Sequence, residues 1–190
     1  THNVSSAASD VYKRQPLTIK SILTHSSGLP RESNHPYWSW PDFPFPTKED
    51  VINELKNQEM LYPSSKYYQY SNLGLSLLGY VVEEVSGETF DNYVTKNILA
   101  PLNMNSTKTY MSKEEYGEKL SVGYSSINRE REREKVNFFN ADGIAAAAGF
   151  TSNVNDLGKF AAWQIQLLES LEKNIISNET LKDCLLYTSP

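Results

Sequence analysis

Cysteine is nearly absent from this chain of 190 residues, which has only Cys184. One thiol cannot form an internal disulfide, and it is too few for a cysteine-based structural zinc site. Long apolar runs are missing too, since no stretch reaches the ~18 residues of a membrane-spanning helix. Basic residues are outnumbered, with 18 Lys and Arg against 23 Asp and Glu. A nucleic-acid surface needs a basic stripe, so the composition argues against a nucleic-acid partner.

The common motifs for hydrolysis, phosphate binding and metal binding are also missing. We find no G-x-S-x-G nucleophile elbow, no G-x-x-x-x-G-K loop and no H-E-x-x-H helix. His25 and His35 have no accompanying Cys and His set for a metal. His25 lies at the C-terminal end of a predicted helix, where a histidine ordinarily forms a structural hydrogen bond or complements the helix dipole. The sequence therefore predicts neither a metal nor an organic cofactor.

What remains is ordinary for a soluble globular protein, with 39% hydrophobic and 22% charged residues. The length fits one domain of ~100–200 residues.

The two ends, however, look unrelated to a protein fold. DVYKRQ (residues 10–15) and CLLYTS (residues 184–189) can be encoded by the two strands of one DNA duplex, and both resemble translated sequencing adapters. We therefore predict that residues 1–15 and 184–190 are adapter-derived and that Pro16–Asp183 is the native part.

Within Pro16–Asp183, hydrophobic periodicity and capping residues predict a series of helices. The predicted helices are Leu17–Ser27 with Thr18 as its cap, Thr47 to about Asn57, one after Asn72 that stops at Gly87, Thr89 to Pro101, and a long one from Ser152 or Asn153. Weak strand signals lie near Lys108–Tyr110 and Leu120–Tyr124. The charge run Asn128–Lys135 predicts a solvated loop or hairpin, and the Gly/Ala-rich stretch Asp142–Phe150 predicts closely approached backbone.

The most informative segment is YYQYSNLG, residues 67–74, where Tyr70, Ser71 and Asn72 stand directly before the most regular apolar helix. Spacing alone leaves two interpretations open. Ser71 or Asn72 can simply be the N-cap of the helix, or the three polar side chains can form part of a chemical site.

Several segments resemble the class C β-lactamase and D-alanyl-D-alanine peptidase superfamily of serine hydrolases, including its esterase members. The matching stretches are PLTIKSILTHSSGLP (16–30), YSNLGLSLLGYVVEEVSG (70–87) with the Tyr-x-Asn motif, NILAPLNMNST (97–107), AAAAGFTSNVNDLGKFAAWQ (145–164) and ISNETLKD (176–183). They follow the order of the family and span nearly all of Pro16–Asp183.

The resemblance implies acyl-enzyme chemistry on a β-lactam, a D-Ala-D-Ala-type peptide or an ester. It implies that Tyr70 is the catalytic acid and base, that Asn72 contacts the substrate amide, and that Ser71 lies between them at the substrate. Tyrosine ordinarily loses its proton near pH ~10 and is a weak base at neutral pH, so this chemistry needs a nearby lysine. The family also implies a peptidoglycan-like or small-molecule substrate and an extracytoplasmic location.

Two motifs of the family lie outside the matching part of the chain. Its Ser-x-x-Lys nucleophile motif is expected before Pro16, and its Lys-Thr-Gly or His-Thr-Gly strand after Asp183. The Ser-x-x-Lys at Ser170–Lys173 comes in the wrong order, and we interpret it as chance. We therefore expect an α+β parent fold with an antiparallel sheet and helices, of which this fragment is mostly α-helical with short strands, and we expect the fragment to be inactive.

Two other functions remain open at this point. The chain can be a non-catalytic ligand or cell-wall binding module on the same scaffold. It can also be a helical interaction domain that docks partners through its aromatic, proline-rich loop, Pro30–Thr47. The aromatic part of that loop, Tyr37–Phe45, either lines the mouth of an active site or covers the helical core. Oligomeric state is not predicted.

Overall fold

A computed structural model describes residues 16–39, 41–169 and 174–187 of the chain. Trp40 and the Ser170–Lys173 motif lie outside the described residues. The α-helices of this part, in chain order, are α1 (Ile19–Leu23), α2 (Lys48–Glu54), α3 (Asn72–Ser86), α4 (Phe90–Val94), α5 (Ala145–Ala148), α6 (Val154–Glu169) and α7 (Asn178–Tyr187). A 3-10 turn, Leu55–Asn57, extends α2, and a π turn, Thr95–Leu99, extends α4. This part of the chain is rich in helix and poor in strand, which agrees with the predicted helical character of the fragment.

The predicted helix starts are confirmed by their capping hydrogen bonds. The Thr18 hydroxyl accepts the Ser21 N–H at 3.0 Å, and the hydroxyl of Thr47 accepts the Asp50 N–H at 3.2 Å. Such caps satisfy backbone donors that a helix start leaves without partners. Helix α1 ends earlier than predicted, at Leu23, because the chain turns at His25, which has a φ of 53°.

Helix α3 lies at the centre of the described structure and packs against α1, α4 and α5. Its first turn buries Leu73 completely, in a core with Leu29 and Val51. The Gly/Ala-rich stretch comes close to the backbone that precedes α2, as predicted. The Gly143 N–H donates to the Pro46 carbonyl at 2.9 Å, and a Cβ at Gly143 would lie 2.6 Å from that oxygen.

The predicted short strands appear only as isolated bridges in the part of the chain that the structure describes. Lys108 pairs with Thr151, and Tyr124 pairs with Lys135, both antiparallel. The second bridge closes a hairpin around the charge run, whose residues 129–135 are all exposed. The prediction of a solvated hairpin is therefore confirmed, whereas extended ladders near residues 108–110 and 120–124 are not formed.

Helices α6 and α7 form a second core with Trp163, Leu167 and Leu181. Among the described residues, no helix has the length and apolar content that crossing a membrane requires.

The start of α6 is joined to the turn after α4 through the buried Asp156. Its carboxylate accepts the Ser106 N–H at 2.8 Å and the Thr107 hydroxyl at 3.1 Å.

Asp156 makes the stability of this junction dependent on pH. Hydrogen bonds from the Lys159 ammonium, at 2.8 Å, and from Ser106 lower the pKa of Asp156 from its ordinary 3.8. A lowered native pKa gives stability that is present above pH 3.8 and is lost as the pH falls through the native value. We expect Asp156→Asn to reduce the acid sensitivity of the urea midpoint, measured from about pH 7 to pH 3. An equal loss of midpoint in both proteins would contradict this account.

Candidate active site

The polar triplet identified in the sequence lies where α3 begins. Ser71 is the N-cap of α3, with its hydroxyl accepting the Gly74 N–H at 2.9 Å and donating to the Pro30 carbonyl at 2.7 Å. Ser71 is only 1% exposed. The N-cap interpretation of Ser71 is therefore confirmed. The substrate contact expected for Ser71 stays a prediction, and its hydroxyl already has two partners within the protein.

Tyr70 lies at the surface, directly before this cap. It is 42% exposed, in contrast to the buried Ser71 and Asn72 that follow it. Tyr67 and Tyr68 are also exposed, so three tyrosine side chains face solvent at this end of α3. Tyr70 is therefore the accessible member of the triplet, whereas Ser71 and Asn72 are almost fully covered, and the substrate contact expected for Asn72 stays a prediction.

His25 contacts the chain on both sides of Tyr70. Its carbonyl accepts the Gln69 N–H at 2.6 Å, and its Nδ1 accepts the Ser71 N–H at 3.1 Å. The imidazole also lies against the Tyr70 ring, with centroids 4.5 Å apart and planes tilted by 35°. Burial lowers the pKa of His25 from its ordinary 6.5. The structural hydrogen bond predicted for His25 is confirmed, and its partner is the start of α3.

Asn72 is held by a carboxylate that sequence reasoning did not identify. The Asn72 Nδ2 donates to Glu32 Oε1 at 2.8 Å. The same oxygen accepts the indole N–H of Trp38 at 3.0 Å, and Arg31 Nε lies 3.4 Å from it. Glu32 is 40 residues before Asn72, in a loop with no local pattern that marks it. Only the folded chain brings the two together.

The aromatic loop covers the core, which is one of the two roles that the sequence left open, and its role at the mouth of an active site stays a prediction. Tyr37 is buried and packs with Phe45, Ala141 and Ile144, so one part of the loop covers the core. Trp38 is half-exposed and, through Glu32, connects the loop to Asn72. The loop therefore lies both over the core and beside the candidate site.

Within the described residues, no group of three or more His, Cys, Asp or Glu side chains is arranged to hold a metal ion. The groups that the site presents are the phenol of Tyr70, the amide of Asn72, the imidazole of His25 and the carboxylate of Glu32. The phenol is the exposed member of this set, and phenol and amide groups can both donate and accept hydrogen bonds.

Comparison with known proteins identifies the family. A family profile described as Beta-lactamase matches residues 7–183. A penicillin-binding protein of Bacillus subtilis is 27% identical over 157 residues, which cover 77% of this chain and 35% of the relative. The D-alanyl-D-alanine-carboxypeptidase/endopeptidase AmpH of Escherichia coli is 30% identical over 111 residues, which cover 58% of this chain and 29% of AmpH.

The fold agrees with these matches. The octameric penicillin-binding protein homologue from Pyrococcus abyssi superimposes with a TM-score of 0.70 and 28% identity, covering 88% of this chain and 38% of that structure. The chain thus spans about a third of the length of these relatives. It has the β-lactamase/transpeptidase-like fold in its helix-rich part, and the resemblance seen in the sequence motifs is confirmed. The chain belongs to the Beta-lactamase family.

Proposed function

We propose that the intact protein is a serine hydrolase that works through an acyl-enzyme, with Tyr70 as its acid and base. The observation that carries this proposal is the position of Tyr70. Its phenol is exposed, while His25 holds the backbone on both sides of it. A proton-transfer group needs both access to the reacting atoms and a fixed location, because efficient transfer requires hydrogen-bond distance in the reactive complex.

In the proposed reaction the nucleophile is the serine of a Ser-x-x-Lys motif that precedes Pro16 in the intact protein. Its oxygen bonds to the carbonyl carbon, and its proton passes to the Tyr70 oxygen, which the motif lysine keeps available as a base. When the bond to the leaving nitrogen or oxygen breaks, Tyr70 returns the proton to that atom. Water then attacks the acyl-enzyme by the same proton path and restores the serine.

We propose that Asn72 orients the substrate, as the family motif implies, and that Glu32 orients Asn72. Glu32 Oε1 accepts this hydrogen bond, and only the Nδ2 side of the amide can donate it, so that side faces Glu32. The Oδ1 atom of Asn72 then lies on the opposite side of its amide group. For Ser71 we propose that any effect on the substrate comes through its capping of α3, given its two internal hydrogen bonds.

The substrate class proposed is a carbonyl compound of the β-lactam, D-Ala-D-Ala-peptide or ester kind. Support comes from the relatives, which are named as a penicillin-binding protein and a D-alanyl-D-alanine-carboxypeptidase/endopeptidase. The same relatives support an extracytoplasmic location and a peptidoglycan-like substrate. We also propose that the antiparallel sheet of the α+β parent is built from segments outside Pro16–Asp183.

The gene sequence on either side of this chain tests the proposal. We expect Ser-x-x-Lys shortly before Pro16 and Lys-Thr-Gly or His-Thr-Gly after Asp183. A reading frame that keeps Tyr70 and Asn72 but has no serine at that motif would overturn the hydrolase and favour a binding module on the same scaffold.

A second prediction concerns the chain itself. Purified Pro16–Asp183 is expected to turn over neither a chromogenic cephalosporin nor a p-nitrophenyl ester, because it has no nucleophile motif in the family order. Turnover above the buffer blank that persists after repurification would contradict the expectation that the nucleophile lies outside Pro16–Asp183. The intact protein serves as the positive control in the same assay.

A further inference from the structure

His25 is the residue that connects α1 to the candidate site. Its three contacts, to Gln69, to Ser71 and to the Tyr70 ring, surround one residue, Tyr70. Tyr68 adds an edge-on ring contact, with centroids 5.8 Å apart. No step of the proposed reaction uses the imidazole, yet it fixes the residue that carries the proton. The contacts of His25 therefore indicate a role in holding Tyr70 rather than in the reaction itself.

The hydrogen bond to Ser71 determines the protonation state of the ring. A backbone N–H only donates, so Nδ1 of His25 must offer a lone pair, and the proton of the neutral imidazole is on Nε2. A protonated imidazole has an N–H at both positions. Protonation would therefore place the Nδ1–H of His25 opposite the Ser71 N–H, so that two donors face each other and the Ser71 N–H loses this acceptor.

The surroundings of the His25 ring also favour its neutral form. The imidazole lies at the N-terminal end of the 15-residue α3, where the helix dipole disfavours a cation. Among the described residues, the titratable side chains in ring contact with the imidazole are the phenols of Tyr68 and Tyr70, and Lys20 is the charged residue of α1 itself. Burial adds to the preference for the neutral ring, since it lowers the pKa of His25 from 6.5.

We propose that His25 is a positioning residue, which holds Tyr70 and the start of α3 in their observed arrangement only while its imidazole is neutral. The importance of this for catalysis rests on the proposed function, whereas the coupling between the ring and the backbone does not. The neutral arrangement predominates above pH 6.5 and is lost as the pH falls through the lowered native pKa of the ring.

Nuclear magnetic resonance on this 190-residue chain tests the coupling without any catalysis. At neutral pH the ring nitrogen shifts should identify the Nε2–H tautomer. On acidification, the Ser71 amide resonance should move with the same midpoint as the His25 ring carbons. In His25→Asn the Ser71 shift should no longer follow that midpoint. An Nδ1–H tautomer, or a Ser71 amide that stays constant while the ring titrates, overturns the proposal.

Asn is the matched replacement for two reasons. Its side chain places an amide oxygen near the position of Nδ1, and asparagine accepts the φ of 53° found at His25 better than most residues. The oxygen keeps the acceptor for Ser71 but does not titrate. His25→Phe keeps a ring against Tyr70 and removes the acceptor.

Kinetics of the intact protein test the consequence for Tyr70. In His25→Asn we expect the acid side of the pH profile of kcat to shift while KM is unchanged. We expect His25→Phe to lower kcat by up to ~10²-fold, which is the scale of the loss caused by a 1 Å misplacement. An unchanged acid side in His25→Asn overturns the positioning role, whether or not His25→Phe folds. If the intact protein shows no acyl transfer at all, the proposed function fails, and the resonance experiment alone decides the coupling.

Discussion

Tyr70→Phe is expected to lower the kcat of the intact protein by about 10²–10⁴-fold, the usual contribution of a positioned acid or base. The substitution removes only the phenolic oxygen. The ring that contacts His25 remains, so α3 should keep its start and the substrate should still bind. We therefore expect KM to change little. Steady-state kinetics with a chromogenic substrate measure both constants.

Tyr67→Phe is the matched control for that substitution. Tyr67 is exposed in the same segment, but its ring packs against Tyr62, with centroids 5.3 Å apart. Removing its oxygen should leave kcat unchanged. Equal losses in both variants would assign the effect to the aromatic surface as a whole, and full activity in Tyr70→Phe would remove Tyr70 from the proton path.

Gly28→Ala is expected to be the most destabilising small change near the site. Gly28 has a φ of 82°, and a Cβ there would lie 2.0 Å from the Tyr62 carbonyl oxygen. The Gly28 carbonyl also accepts the Leu61 N–H at 2.8 Å, so the two segments cannot separate without losing that bond. Backbone strain and overpacking together predict a loss of about 2–5 kcal/mol in the free energy of unfolding.

Gly87→Ala separates these two contributions. Gly87 has a similar φ of 71°, but a Cβ there meets no atom within 4 Å. Only the backbone strain remains, so we expect a loss of about 1–2 kcal/mol. Urea unfolding of both variants gives the difference directly. If Gly28→Ala costs no more than Gly87→Ala, the close approach of residues 28 and 62 is wrong.

The helix ends of this fold were largely predictable because their signals are local. Thr18, Thr47 and Thr89 cap helices through atoms three residues away, and Gly87 takes the left-handed conformation that ends α3. Each of these features depends on residues that are neighbours in the chain, which sequence patterns record directly.

The contacts that shape the candidate site were not predictable in this way. His25 meets Ser71 across 46 residues, and Glu32 meets Asn72 across 40. Both pairs form only when α1 and the loop after it pack against the start of α3. A loop glutamate has no periodic or capping signal, so its role depends on tertiary structure alone. The strand signals failed for a related reason, since a ladder needs a partner strand as well as a propensity.

Labelling of the intact protein with a fluorophosphonate tests the central claim most directly, because this reagent modifies activated serines whatever the natural substrate. We predict one adduct for each chain, located by peptide mapping on the serine of a Ser-x-x-Lys motif before Pro16, and formed much more slowly in Tyr70→Phe. An intact protein that stays unmodified, or an adduct on a serine of this chain such as Ser71, would contradict the account.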